Sequence, residues 1–126
     1  MAISKASIDK TVTNDEAVIL INWANLAASG DIGDTQSFAA YGDKTFTVSG
    51  SFTGAPTILI EGSNDGTNWF TLANRQGLAM SFTAAGMNTS QDRPVYIRPR
   101  LSAGSGGALV LVSVAVHRID FAGLGR

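Results

Sequence analysis

Residues 57–72, TILIEGSNDGTNWFTL, carry the clearest structural signal in this sequence. Two runs, 57–61 and 68–72, are rich in apolar and β-branched side chains, and the turn-forming residues 62–67 separate them. An Asp-Gly pair such as Asp65-Gly66 favours a tight reversal with positive φ. The segment therefore predicts a β-hairpin with its tip at residues 64–67.

Other runs repeat this strand-like pattern. Residues 16–25, EAVILINWAN, place apolar side chains on both faces of a strand, which is typical of strands that are covered on two sides. Residues 108–117, ALVLVSVAVH, are apolar at nearly every position and predict a central strand. Phe46, Val48 and Phe52 alternate along another run and are predicted core residues.

Short strands separated by Gly, Asn, Asp and Ser, with no capped segment of helical period, predict an all-β fold. We expect an antiparallel, jelly-roll-like β-sandwich of about seven or eight strands. Pro99 cannot donate to a ladder, so its strand is predicted to be an edge or to carry a bulge there. The expected organisation is an N-terminal arm at 1–14, the sandwich at 15–118 and a tail at 119–126.

The amino-acid composition limits the classes of binding partner that we expect. The chain has 126 residues, 9 Lys plus Arg against 10 Asp plus Glu, and no cysteine. Without a dense basic run or a long apolar stretch, neither nucleic acid nor a membrane is an expected partner. Only 15% of the residues are charged while 44% are hydrophobic, which predicts that a protein partner covers part of the surface.

The chemistry-bearing residues do not form a recognisable catalytic motif. His117 is the only histidine and is predicted to be a surface residue at a strand end. Asp31, Asp34 and Asp65 could supply oxygens to calcium, but their Gly- and Asn-rich context favours a role in turn geometry. We therefore expect no enzyme activity, no catalytic residue, no cofactor and no metal.

Aromatic and basic side chains leave two binding alternatives open. Trp23 and Trp69 could stack on sugar rings, although both are also typical of cores and subunit contacts. Arg98 and Arg100 are expected on the same side of a strand as Tyr96, and with Arg93 nearby they are predicted to make a small basic ridge on an edge strand. Such a ridge becomes a binding element if an acidic protein surface lies opposite, because arginine forms paired hydrogen bonds with carboxylates.

The order of several segments resembles a known group of proteins. An alternating strand at 41–52, YGDKTFTVSGSF, precedes the hairpin segment 60–69, IEGSNDGTNW. The segment 94–99, PVYIRP, then leads to a glycine-rich turn at 104–107 and a final apolar strand at 108–118. This order resembles small structural proteins of tailed bacteriophages, and the resemblance covers residues 16–118.

The resemblance implies a virion protein without catalytic residues. It implies a head decoration or cement protein that is made in the host cytoplasm, sits on the capsid exterior as a homotrimer, and binds the major capsid protein and itself. A carbohydrate- or receptor-binding module and a tail or head-fibre adaptor are the alternatives. The candidate residues for capsid or subunit contacts are Ile3, Ile8, Trp23, Tyr96, Arg98 and Arg100.

Overall fold

The computed structural model of this chain describes residues 2–12, 17–37 and 41–118. Within these ranges every regular element is a β-strand, so none of them offers a helix that could cross a membrane. In chain order the strands are β1 (Ile3–Ser4), β2 (Ser7–Asp9), β3 (Val18–Leu26), β4 (Ile32–Gly33), β5 (Tyr41–Ser51), β6 (Thr57–Ser63), β7 (Phe70–Thr71), β8 (Ser81–Phe82), β9 (Gly86–Thr89), β10 (Tyr96–Ala103) and β11 (Leu109–Arg118).

The strands form two sheets. Sheet A has the order β1-β4-β10-β6-β7, with β8 also pairing with β6, and sheet B has the order β2-β3-β11-β5-β9. If the short strands β1, β2 and β7 are set aside, the remaining orders β4-β10-β6-β8 and β3-β11-β5-β9 are those of an eight-stranded jelly roll. The prediction of an all-β, jelly-roll-like sandwich is confirmed, and these three short strands account for the larger strand number.

One hydrophobic core lies between the sheets. Alternate residues of the long strands point inward, as the two-residue period of a strand requires. Phe46 and Val48 are fully buried and Phe52 packs partly against the core, which confirms the face predicted for this run. Each buried side chain of this size contributes about 1.5–3 kcal/mol through removal of apolar surface from water. The largest fully buried side chains come from both sheets and include Trp23, Phe46, Ile19, Ile21, Ile58, Ile60 and Ile97.

The predicted hairpin is present. β6 pairs antiparallel with β7 through Glu61 with Thr71 and Gly62 with Phe70. In the loop between them, the Asp65 carboxylate accepts hydrogen bonds from the backbone N–H groups of Thr67 and Asn68, both at 2.8 Å. These hydrogen bonds, the one from Asn68 first, hold the pKa of Asp65 well below its ordinary value. Gly66 has φ of 77°, as an Asp-Gly turn requires.

For Pro99 we predicted an edge strand or a bulge at that point, and the register shift of β10 against β6 lies instead between Leu101 and Ala103. β10 lies between β4 and β6, so it is a central strand. On the β4 side, however, pairing is confined to Ile97 and Arg100, and Pro99 falls in the gap between them, where no N–H is needed. The opposing residue is Gly33, where an added Cβ would lie 2.6 Å from the Pro99 ring. A two-residue partner strand with a glycine therefore accommodates a proline inside the sheet.

The N-terminal segment pairs with both sheets. β1 runs parallel to β4 at one edge of sheet A, and β2 runs antiparallel to β3 at the edge of sheet B. Asp31 and Asp34 hold this segment, because their carboxylates accept the N–H groups of Ala2 and Ala6, each at 2.9 Å. The predicted boundary at residue 14 and the predicted tail at 119–126 lie outside the described residues.

Candidate binding surface on the outer face of sheet A

The outer face of sheet A collects several of the predicted interface residues. Side chains of directly paired residues point to the same side of a sheet, so register defines the rows of this face. One row crosses five strands and consists of Ile3, Ile32, Arg100, Leu59 and Ser81. Ile3 is 58% exposed, and Ile32 and Leu59 are half-buried. We call this surface, with Tyr96 and Arg98 next to Arg100 on β10, the guanidinium face.

A buried carboxylate organises the two arginines. Glu61 pairs with Arg98 across β6 and β10, and its side chain is only 6% exposed. Arg98 donates from Nε to Oε1 of Glu61 at 3.1 Å, and Arg100 donates from Nε to Oε2 at 2.8 Å. The Arg98 and Arg100 side chains are 19% and 36% exposed. One carboxylate thus holds two guanidinium groups side by side on the sheet.

The hairpin loop folds back over this face. The guanidinium carbon of Arg98 lies 4.0 Å from the ring centroid of Trp69, which is a cation–π contact. Gly66, at the loop tip, lies above Tyr96, since a Cβ added there would be 3.7 Å from the Tyr96 ring. The loop therefore restricts the Arg98 side chain from one side while Glu61 holds it from the other.

This arrangement leaves hydrogen-bonding capacity for a partner. Each arginine uses Nε for Glu61, and its Nη groups make no hydrogen bond to the described residues. Two positive charges face one negative charge, so the cluster keeps an excess positive charge. Guanidinium Nη groups bind carboxylates with two parallel hydrogen bonds, and an arginine held in place loses little further freedom on binding. The cluster is therefore suited to an acidic protein surface.

Five of the six predicted interface residues lie in two places on the surface, and the sixth, Trp23, is buried. Ile3, Tyr96, Arg98 and Arg100 come together on the guanidinium face. Ile8 is 42% exposed but lies on β2, opposite Ile21, at the edge of the other sheet.

Trp23 requires a correction. Its side chain is fully buried in the chain's own core, and its indole N–H donates to the backbone and carboxylate oxygens of Asp34, both at 3.0 Å. It is therefore not available to a partner, neither as an interface residue nor as a stacking platform for sugar. Its position follows from alternation, because Trp23 shares the inward face of β3 with Ile19 and Ile21.

Sequence reasoning missed Glu61. A signal was present, since Glu61 is the one acidic residue of β6 and stands at an outward position of the alternating run TILIE. Its pairing with Arg98 depends on a register between segments 37 residues apart in the chain, which local patterns do not supply.

Two further residues considered from the sequence, His117 and Asp31, lie in different parts of the fold. His117 is exposed near the end of β11. Asp31 is buried and accepts N–H groups from Ala2, Ala27 and Ala28 at 2.9–3.1 Å. Within the described ranges, no group of three or more His, Cys, Asp or Glu side chains could hold a metal ion.

The jelly-roll fold has known counterparts, although no protein-family model and no curated protein sequence matches this chain. The SPBc2 prophage-derived protein YomS aligns with a TM-score of 0.56 at 12% identity, over 79% of this chain and 94% of that chain. The module CBM32-3 of a family 31 glycoside hydrolase from Clostridium perfringens aligns with a TM-score of 0.42 at 17% identity, over 79% and 75% of the two chains. At these identities the likeness is one of fold alone.

Proposed function

We propose that this chain is a structural protein of a phage particle that decorates the capsid, with the guanidinium face as its contact to an acidic surface of the major capsid protein. The main observation behind the proposal is that buried Glu61 holds two arginines on a sheet face that also exposes apolar side chains. The order of sequence segments shared with small virion proteins supports the same assignment, and the prophage-derived protein with this fold agrees with it.

The charge cluster costs free energy in the isolated protein, because it keeps the Glu61 carboxylate away from water. The Glu61 side chain is 6% exposed and loses much of its hydration. If this sheet face contacted only water, a solvent-exposed carboxylate could hold the arginines without that loss. Glu61 orients two partly exposed guanidinium groups, and this orientation favours binding when an external carboxylate contacts them. The flanking apolar side chains of Ile3 and Ile32 then supply surface that is buried at the same time.

Decoration needs no chemical step. A protein that binds the assembled shell and not its separated subunits stabilises the shell by mass action. Many copies bind one particle, so a modest affinity at each site raises the temperature at which the particle opens. The N-terminal segment contributes through Ile3, which β4 positions on the guanidinium face.

We propose self-association, as a homotrimer, through the outer face of sheet B. The two central rows of that face contain Asn22, Ser113, Thr47 and Met87 in one and Leu20, Ala115, Thr45 and Thr89 in the other. On β3, β11, β5 and β9 these rows carry no charge, and Asp9 continues the second row only at the edge strand β2, so the centre of the face has no like charges that would repel a second copy. Three copies on one axis would also raise the effective concentration of each capsid contact.

The decisive experiment is co-sedimentation with expanded capsids of the cognate phage that lack this protein. The wild-type chain is expected to bind saturably and to raise the opening temperature of the particles. The double variant Arg98→Gln/Arg100→Gln is expected to bind roughly 10- to 100-fold more weakly, because it loses the donors to the capsid carboxylates.

A matched control removes the same charge elsewhere. Arg75 and Arg93 are exposed and lie near Asp43 at 3.0 and 3.9 Å, so Arg75→Gln/Arg93→Gln also deletes two positive charges. The control should bind like the wild type. A third variant, Glu61→Gln/Arg98→Gln/Arg100→Gln, removes the buried charge together with its partners and separates loss of binding from loss of folding. Equal weakening by control and test variants would refute the proposed contact.

The alternative virion role and the sugar-binding alternative make other predictions. A tail or head-fibre adaptor would bind tails or fibres and not capsids in the same sedimentation assay. Sugar stacking on the tryptophans is not supported, since Trp23 is buried and Trp69 is half-buried with Arg98 over its ring.

A further inference from the structure

A cleft at the β7 edge of sheet A has the features of a separate binding site. Its volume is about 520 Å³, which lies in the range typical of small-molecule sites. The apolar part of its lining consists of Leu72, Gly62 and Pro94. Phe70 stands at its side with 72% of its surface exposed, the largest exposure among the large hydrophobic residues of the described chain. The exposed Phe70 ring is therefore available to a ligand.

Polar side chains around this ring are fixed by the backbone. Asn64 accepts the N–H of Val95 through Oδ1 at 3.0 Å, which leaves its Nδ2 group as a donor. Asp92 accepts the N–H of Ala73 through Oδ2 at 2.7 Å, which leaves Oδ1 as an acceptor. Thr71, which follows Phe70 on β7, pairs with Glu61 and therefore points to the opposite side of the sheet from Phe70. The cleft thus presents a donor and an acceptor beside one aromatic ring.

The second carboxylate of the cleft has a different role. Both oxygens of Asp65 are occupied by the loop, with Oδ1 accepting from Ser63, Thr67 and Asn68 and Oδ2 accepting the Asn68 amide. Asp65 therefore shapes the loop and adds negative charge to the cleft. Together with Asp92 it makes the site unfavourable for an anionic ligand.

We propose that this cleft binds a neutral sugar unit of a glycan. Adjacent hydroxyl groups of a hexose both donate and accept, which matches an amide donor and a carboxylate acceptor placed side by side. The C–H face of the sugar ring would lie on the Phe70 ring, since aromatic side chains combine large apolar contact with a fixed geometry. This site is distinct from the guanidinium face. A protein bound to the particle through the guanidinium face would therefore have a second binding surface, and this one would bind glycans.

The test is a titration of the ¹⁵N-labelled full chain with a panel of neutral disaccharides (lactose, cellobiose, maltose and chitobiose), followed by NMR. The expected result is saturable shifts of the amides of Asn64, Phe70, Thr71 and Asp92 with at least one sugar of the panel. Galacturonic acid should bind at least 10-fold more weakly than the best neutral sugar. The Arg98→Gln/Arg100→Gln variant should bind sugar normally, so this test and the capsid test fail independently.

Two variants locate the site. Phe70→Ala should lower the affinity at least 10-fold, whereas Leu78→Ala, which truncates another exposed side chain outside the cleft, should not change it. Absence of saturable shifts with every sugar, unchanged binding by Phe70→Ala, or equal binding of galacturonic acid would overturn the proposal.

Discussion

The two outer faces of this sandwich are built differently. Sheet B has the long strands β3, β5 and β11, which pair continuously over many residues, and its central rows contain uncharged Ser, Thr, Ala and Leu side chains. Sheet A is assembled around β6 and β10 from several two-residue strands, and its outer face contains Glu61, Arg98 and Arg100. Trp69 also lies on this face, over Arg98.

This difference suggests that sheet B mainly stabilises the fold and that sheet A provides the binding surface. Continuous ladders in sheet B supply most of the long-range backbone pairing, and its inward face supplies Trp23, Phe46 and Val114 to the core. The short strands of sheet A are held by side chains that accept backbone N–H groups, such as Asp31 and Asp92. Binding elements therefore lie on the face whose irregular edges and loops can carry them without disturbing the core.

The largest expected effect concerns the core that both faces share. Trp23→Ala should destabilise the protein by about 3–5 kcal/mol, because it leaves a cavity and removes the donor to Asp34. Trp69→Ala is the matched control, since Trp69 is half-buried on the guanidinium face and its loss should cost much less. Denaturant unfolding of the two variants measures the difference. Equal losses would mean that the hairpin loop, and not only the core, determines stability.

The next effect tests whether the charge cluster is a structural unit. Glu61→Gln should lower the free energy of unfolding by about 1–2 kcal/mol, since it leaves two like charges close together that are only partly exposed. The same variant should weaken capsid binding, because the guanidinium groups lose their fixed positions. Chemical denaturation and co-sedimentation measure both effects. Unchanged binding would show that Glu61 does not position the arginines.

A smaller effect is expected from pH. Hydrogen bonds from backbone N–H groups, that of Ala28 first, lower the pKa of Asp31, and similar bonds lower that of Asp65. A folded-state pKa below the unfolded value near 3.8 stabilises the protein above that pH. This stabilisation is lost as the pH falls from 3.8 through the folded-state values.

Thermal unfolding between pH 2 and 6 measures the pH effect. Asp31→Asn should reduce the slope of stability against pH in the acidic range, because the group no longer titrates. An unchanged slope would assign the acid sensitivity to other carboxylates.

The smallest effect is expected at the centre of the outer face of sheet B. Ser113 and Asn22 form a hydrogen bond of 2.5 Å between their side chains on sheet B. Ser113→Ala should cost about 1 kcal/mol or less in stability and leave capsid affinity unchanged. A loss of capsid binding as large as that of Glu61→Gln would reverse the assignment of the two faces.

Local patterns predicted the parts of this fold that are determined locally. The hairpin followed from the Asp65-Gly66 turn, and the central position of β11 followed from its continuous apolar run. The inward face of β5 followed from alternation, whereas the run of β3 is apolar on both faces and did not show which face is inward.

The parts that were missed depend on contacts between distant segments. A strand as short as Ile32–Gly33 has no detectable period, yet it determines how Pro99 fits inside the sheet. The basic ridge was predicted from Arg93, Arg98 and Arg100, but Arg93 lies near Asp43 instead. The carboxylate partner of the other two, Glu61, required the register of β6 with β10. Phe70 read as a strand residue in sequence, and its exposure depends on β7 being a two-residue edge strand.

The central claim, that sheet A faces the capsid, is tested most directly by a cryo-electron microscopy reconstruction of capsids decorated with this protein. We expect the guanidinium face to lie against the shell, with Arg98 and Arg100 within 4 Å of capsid carboxylates. A reconstruction in which the outer face of sheet B contacts the shell, or in which the protein is absent from the capsid, would contradict this account.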